Sequence, residues 1–314
     1  MANKQFSSRY FNNVWHDEIN GRVVKLSSDL QKLAAEYLYY KALPLELHKF
    51  FVEPISFKLE GTYAILETMY MNASPLSELD VDDHQWKKIF TQLQFMHEVF
   101  SEYHMPNPNQ IQQQFYIDKM ITRLESYYSN TYWGRSVEEL KYITLNDKKI
   151  PNWKTISEDV FSYIKSVEVP ELNIIHGDWC FSNILKMNYT DRLVLVDPRG
   201  AFGPEVCYGD SMYDIAKLYH SIHGRYDDIV ADRIETNHMV LNGSMSVSYY
   251  AEHMKPSPML MELFDTFFPV DKKYLLILEG MLFLSMCPLH RESDTRSILM
   301  YAHGLDILNT GLQM

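Results

Sequence analysis

The run "NIIHGDWCFSNILKMNYTDRLVLVDPRG", residues 173–200, restricts this chain more than any other stretch. It sets His176, Asp178, Asn183 and Asp197 among segments as apolar as Asn-Ile-Ile and Leu-Val-Leu-Val. Buried polar side chains need partners, which come either from the protein or from a ligand. The local pattern is that of a hairpin: Asn183 opens the short apolar strand "ILKM", "NYTD" supplies turn residues, and "RLVLV" returns to Asp197. A hairpin of that length sets Asn183 beside Asp197, with Asp178 on the loop just before it.

Oxygen donors of this kind suit a hard cation. Mg²⁺ takes one or two protein carboxylates and keeps the rest of its shell for water and phosphate, which points to a phosphorylated ligand. Phosphoryl transfer needs this equipment: a metal to offset charge, and a carboxylate to orient the attacking hydroxyl and take its proton. In that chemistry Asp178 is the candidate base, and Asn183 and Asp197 are the candidate metal ligands.

The rest of the chain reads as a small strand-rich part and then a larger helical one. "GRVVKLSS" reads as a turn and a β-branched strand, and "SDLQKLAAEYLYYKAL" then switches to helical period. Ser28 and Gln31 form a capping-box signature, with Leu30, Leu33, Ala34, Tyr37 and Leu38 on one apolar face. "HKFFVEPISFKLEGTYAILETMY" reads as two strands turning at Glu60-Gly61, and "NASPLSEL" as a connector, so a boundary is expected near Met71 and Asn72. Beyond it the pattern is helical, with strand texture only at residues 173–197. The expected fold is α+β and bilobal, with residues 1–71 as one lobe and residues 72–314 as the other.

Charge and cysteine content narrow the function classes. The 29 basic and 41 acidic side chains give a net charge of −12, and no basic stripe stands out, which argues against a nucleic-acid partner. Cys180, Cys207 and Cys287 are odd in number and widely spaced, suggesting neither a disulfide framework nor a zinc cluster. The first residues have no apolar signal core, and "YLLILEGMLFLSMCPL" is interrupted by Glu279. The expectation is a cytoplasmic protein without membrane insertion.

His176-Gly177-Asp178, then Asn183, then Asp197 after an apolar strand resembles the catalytic core of the aminoglycoside phosphotransferase and choline kinase family, whose members are protein-kinase-like small-molecule kinases. Protein kinases usually carry Arg where this chain has Gly177, and Phe-Gly where it has Pro198-Arg199-Gly200. The resemblance implies a bilobal kinase fold, ATP or GTP as donor, Mg²⁺, and a small-molecule alcohol as acceptor. It implies that Lys25 in "VVKLS" grips the α- and β-phosphates with Glu36 as its partner. "YAILETMYM" resembles the hinge, where main-chain groups near Glu67 and Met69 would hold a purine. His176 would steady the loop, and Asp214 in "GDSMYDIAKL" would brace it. The family's nucleotide loop is usually glycine-rich, yet no glycine precedes Gly21, so Ser7, Ser8 and Asn13 of "FSSRYFNNV" would supply the phosphate donors. Relatives reading "DPRG" resemble enzymes that make building blocks for bacterial surface polysaccharides, which suggests a sugar, a polyol, or an amino alcohol such as choline or ethanolamine.

Other readings stand beside this one. Arg199 would contact the transferring phosphate or the acceptor, or else pair with a carboxylate such as Asp210. Cys180 reads as a packed loop thiol, and most of the 22 Tyr as core, although an aromatic cage for a quaternary ammonium acceptor fits the same composition. "CPLHRESDTR" reads either as part of an acceptor pocket or as a solvated loop. Two rival functions remain: a pseudokinase that binds without turnover, motivated by the glycine-free loop, and a metal-dependent phosphoesterase, for which the needed His and Asp clusters are lacking.

Overall fold

The structure is a computed structural model that describes residues 4–6, 12–241 and 243–314. The chain divides into two compact units, Met1–Met105 with Glu171–Asp214, and Pro106–Pro170 with Ile215–Met314. The residues near Met71 and Asn72, where the sequence places a boundary, lie inside the first unit.

The first unit is built on an antiparallel sheet. Strands β1 (Lys4–Phe6), β2 (Asn12–Asp17), β3 (Arg22–Ser27), β4 (Pro54–Glu60) and β5 (Tyr63–Met69) take the order β1-β2-β3-β5-β4. β3 is central, and Lys25 faces Val14 on one side and Leu66 on the other. Helix α1 (Leu30–Ala42) comes directly after β3 and packs on β4 and β5. Its cap is Asp29, one residue later than the sequence suggests, whose carboxylate accepts from the Lys32 amide at 3.1 Å. The buried face also differs from the expected one. It is Leu33, Glu36, Tyr39 and Tyr40, while Leu38 is exposed. The helix is turned so that a carboxylate faces inward, because Lys25 of β3 supplies its partner.

Beyond β5 the chain adds the short β6 (Ala73–Pro75), which pairs with strand Ile184–Met187, itself paired with Leu193–Leu195. This is the expected hairpin, in register Ile184↔Leu195. Helix α2 (Asp83–Ser101) buries Trp86, Ile89, Phe90, Leu93, Met96 and Phe100 at three- and four-residue spacing. Each such side chain contributes about 1.5–3 kcal/mol on burial, so this helix is held by packing.

The second unit is mainly helical, with Ile111–Asn130, Tyr132–Glu138, Trp153–Ser166, Lys272–Met286 and Asp294–Gln313 as its main helices. It also holds a sheet that the helical reading of the sequence omits. Strand 236–241 pairs with Ser244–Tyr249, which runs parallel to Tyr142–Leu145, which in turn pairs with Lys148–Pro151. Asn152 ties this unit together. Its Nδ2 donates to the carbonyls of Val137 and Leu140, both at 2.7 Å, and its Oδ1 accepts from the Tyr301 hydroxyl at 2.6 Å. Among the described residues one helical stretch, Lys272–His290, is long and apolar enough to cross a membrane, but 89% of its most apolar window is buried within the protein, as in a core helix. Its buried Glu279 is met by Nδ1 of His223 at 2.8 Å.

Candidate active site

In the first unit one polar side chain of the 173–200 run, that of Asp197, reaches Lys25, and the others stand on the loop and hairpin that lead to it. The strand Glu171–Ile174 delivers the loop that begins at His176, and the hairpin returns the chain to Asp197. Val196 donates its amide to the carbonyl of Asn183 at 3.0 Å, so the two ends of the hairpin stand side by side.

Lys25 is the hinge of the charge arrangement. Its ammonium contacts Glu36 Oε2 at 2.7 Å and also Oδ1 of Asp197. Burial works against the Lys25 charge, but the facing carboxylates of Asp197 and Glu36 outweigh it and hold the group protonated above its ordinary range. Burial pushes the Glu36 carboxyl up to about 7, with Lys25 opposing. Burial would also raise Asp197, yet the Lys25 ammonium, with help from Lys32, holds it well below the usual carboxylate range. Lys32 lies one turn before Glu36 on α1. Nothing in the motif spacing singles it out; only the orientation of the helix brings its charge to bear on Asp197.

Asp197 has a backbone φ of +57°, in the left-handed region. Asp tolerates that region better than most residues, but the conformation is seldom adopted without tertiary support, and such residues cluster at functional sites. Arg199 and Gly200 provide that support. Arg199 donates its amide to the His176 carbonyl at 2.9 Å, which joins the Asp197 loop to the Asp178 loop. Gly200, at φ +89°, lies so near α1 that a Cβ there would meet the Ala35 carbonyl carbon at 2.5 Å and the Glu36 nitrogen at 2.8 Å. Only glycine allows the two backbones to approach in this way.

The Asp178 loop is fixed from behind. Asp214, near the start of helix Ser211–Ile222, is buried and accepts the amides of His176 at 2.6 Å and Gly177 at 2.7 Å. The His176 ring bonds the Val196 carbonyl through Nε2 at 2.9 Å and accepts the Asp178 amide on Nδ1 at 3.2 Å. That pair of bonds fixes one neutral tautomer, and burial pulls the ring down to about 4. Asn183 donates Nδ2 to the Asp178 carbonyl at 2.9 Å, so that its Oδ1 is the acceptor end of the side chain.

Arg199 donates to the Ala201 carbonyl at 3.1 Å and to the Tyr213 hydroxyl at 3.4 Å. Glu67, expected near a purine, lies within the sheet, paired to Val24 and Ser56. Its carboxylate binds Arg22 at 3.0 Å and the Ser56 hydroxyl at 2.7 Å. The Met69 amide is taken by the Glu53 carbonyl at 2.8 Å. Among the described residues the main chain of Met71, two positions on, has no hydrogen bond. Asn13 lies on β2 opposite Leu26 with an exposed side chain, and Ser7 and Ser8 fall outside the described residues. Cys180 is buried, within 3.2 Å of the Ser182 hydroxyl. The segment after Cys287 forms a turn and a helix start, where Arg296 pairs with Asp232 at 2.6 Å and with Glu292 at 3.4 Å.

No protein-family model matches the chain, and no curated protein matches it by sequence. Solved structures do match. A Haemophilus somnus protein provisionally assigned as a fructosamine-3-kinase is 13% identical with a TM-score of 0.61, over 98% of this chain and 91% of that one. A Streptococcus pneumoniae choline kinase is 14% identical with a TM-score of 0.54, over 99% and 94%. An aminoglycoside phosphotransferase in complex with AMP-PNP and hygromycin B is 12% identical with a TM-score of 0.59, over 99% and 94%. These similarities show that this chain shares the fold of those kinases and phosphotransferases.

Proposed function

We propose that this protein, having the fold of small-molecule kinases, transfers the γ-phosphoryl group of ATP or GTP to a hydroxyl of a small molecule. The observation that carries the reading is the Lys25 ammonium held between Glu36 and Asp197, in the same unit as a braced loop bearing Asp178. Lys25 would contact the α- and β-phosphates, steadied by Glu36. Asp178 would accept a hydrogen bond from the acceptor hydroxyl, orient it, and take its proton as the new P–O bond forms. The purine would lie against the connector beyond Glu67 and Met69, where the Met71 main chain has groups to spare.

The residues present fit Mg²⁺. The Asp197 carboxylate and the Asn183 amide oxygen are hard donors at neighbouring hairpin ends, and two protein oxygens suit a Mg²⁺ that draws its other ligands from water and phosphate. When bound, the metal would offset the charge on the β- and γ-phosphates. Arg199 adds a cation on the same loop, in contact with Tyr213.

The acceptor is proposed to be a sugar, polyol or amino alcohol, in line with the fructosamine and choline kinases among the structural neighbours and with a net charge of −12 that favours cationic metabolites. A place in bacterial surface polysaccharide synthesis is part of the same proposal. So is a cytoplasmic setting, supported by three buried cysteines, none of them joined in a disulfide.

The test is thermal unfolding with ATP or GTP, each with and without Mg²⁺, and then phosphate transfer to a panel of small alcohols. A nucleotide at 100-fold above its dissociation constant adds about 2.7 kcal/mol of stability. The expected result is a Mg²⁺-dependent shift that is lost in Asp197→Ala, with turnover abolished in Asp178→Asn. Nucleotide binding without transfer to any alcohol, and unaffected by Asp178→Asn, would favour the pseudokinase reading. No shift with either nucleotide at millimolar concentration would overturn both.

A further inference from the structure

The first unit contains a cavity of about 310 Å³ apart from the Lys25 cluster. Tyr40 and Leu43 at the end of α1, Phe51 and Val52, Pro54 at the start of β4, and Met69 and Met71 form its apolar lining. His48, Glu53 and Arg192 supply the polar part. His48 Nε2 is spent on the Leu43 carbonyl at 3.0 Å. Arg192 gives one N–H to the Lys49 carbonyl. A guanidinium has five N–H donors, and among the described residues Arg192 has no carboxylate partner. Glu53 likewise has no cationic partner among the described residues, and both side chains belong to exposed residues. An apolar hollow thus carries one cation and one anion that do not pair with each other.

We propose that this cavity is a binding site for a small amphipathic zwitterion, a molecule with an apolar body, a carboxylate and an ammonium, such as an apolar amino acid. The aromatic and aliphatic walls would take the body, Arg192 the carboxylate and Glu53 the ammonium. A simple anion would leave Glu53 facing like charge, and a simple cation would do the same to Arg192.

The walls give the site a regulatory reach, which rests on the kinase reading, although binding itself does not. Tyr40 lies one turn beyond Glu36 on α1. Arg192 immediately precedes the strand Leu193–Leu195 that leads to Asp197, and that strand is bridged to the cavity wall where Val52 donates to the Leu195 carbonyl at 3.2 Å. Met69 ends β5 and Met71 belongs to the connector after it. An occupant would therefore touch the helix bearing Glu36, the residue that precedes the strand leading to Asp197, and the connector at once.

The experiment is saturation-transfer NMR titration of the full chain with L-phenylalanine, phenylacetate and phenethylamine as probes, without nucleotide. Charge-assisted hydrogen bonds are the strong ones at such a site, so L-phenylalanine should saturate and each singly charged probe should bind about tenfold more weakly. Arg192→Gln, at an exposed position, should leave L-phenylalanine no better than phenethylamine, and Leu43→Trp should fill the cavity and remove binding. The proposal is overturned if no probe saturates at millimolar concentration, if phenylacetate or phenethylamine equals L-phenylalanine on the wild type, or if Arg192→Gln leaves the order of affinities unchanged. Probe binding and nucleotide binding are read in separate titrations with different ligands, so failure here and failure of the kinase reading are separately visible.

Discussion

Replacing Asp214 strikes the main support of the Asp178 loop. Its carboxylate is buried and accepts two main-chain amides, those of His176 at 2.6 Å and Gly177 at 2.7 Å. Asp214→Ala strands both donors away from water, at about 1–3 kcal/mol each, so the expected loss is about 2–6 kcal/mol. Asp214→Asn keeps one oxygen and turns an NH₂ toward the other amide, so it should lose about 1–3 kcal/mol by the same count. A chain of two units need not unfold in one step. Guanidinium titration is therefore best joined to hydrogen exchange of the peptide covering residues 176–178, where local opening is read directly. The expected order of protection is wild type, then Asn, then Ala, with Mg²⁺-nucleotide stabilisation less affected than transfer, because Lys25 and Asp197 keep their own contacts. The reasoning is refuted if Asp214→Asn matches wild type in both measurements, or if Asp214→Ala costs under about 1 kcal/mol with unchanged exchange at His176 and Gly177.

Three other outcomes are expected. Gly200→Ala should force α1 away from the Asp197 loop, lowering the thermal midpoint and weakening the nucleotide-induced shift, whereas Gly61→Ala, at a turn with open space around it, should leave that shift unchanged. His176 is neutral when folded, with its pKa pulled from 6.5 to about 4. An unfolded chain therefore takes up a proton there first as pH falls below 6.5, so stability is lost between pH 6.5 and 4, by about 3 kcal/mol in all; urea titrations across that range should show a flatter profile for His176→Phe. In the second unit, His223→Ala leaves the buried Glu279 carboxylate without its imidazole, which should cost about 3–5 kcal/mol by denaturant titration, while Glu279→Gln in the same background should restore part of the loss.

The hairpin of residues 184–195 is legible in the sequence because its signals are local: two apolar runs and a turn of Asn, Tyr, Thr and Asp. The strand β3 and the start of α1 are legible for the same reason. The orientation of α1 is not. Counting apolar residues puts Leu38 inward, whereas the structure puts Glu36 inward, because Lys25 on the neighbouring strand outweighs one leucine. The sheet of the second unit escapes a reading by pattern because its strands carry polar residues such as Asn237, His238 and Ser246; the Asn242-Gly243 pair in the sequence is the available turn signal. At the candidate site, motif spacing points to Asp178, Asn183 and Asp197, but a string of letters does not show Gly200 against the α1 backbone, or that the Met69 amide is already taken. Those facts depend on contacts between residues far apart in the chain.

The order in which the chain is made bears on when such a site first exists. The first unit is interrupted: residues 106–170 of the second unit lie between its two segments, and Asp214 is its last residue. On a ribosome, the sheet holding Lys25 and the helix holding Glu36 emerge early and wait through that long insertion before Asp178 and Asp197 arrive. The brace comes last of all. Until residue 214 has been added, Lys25 of β3 and Glu36 of α1 stand without a braced Asp178 loop, so assembly is governed by closure of a long, non-local loop and should be slow beside the formation of either helix or hairpin alone.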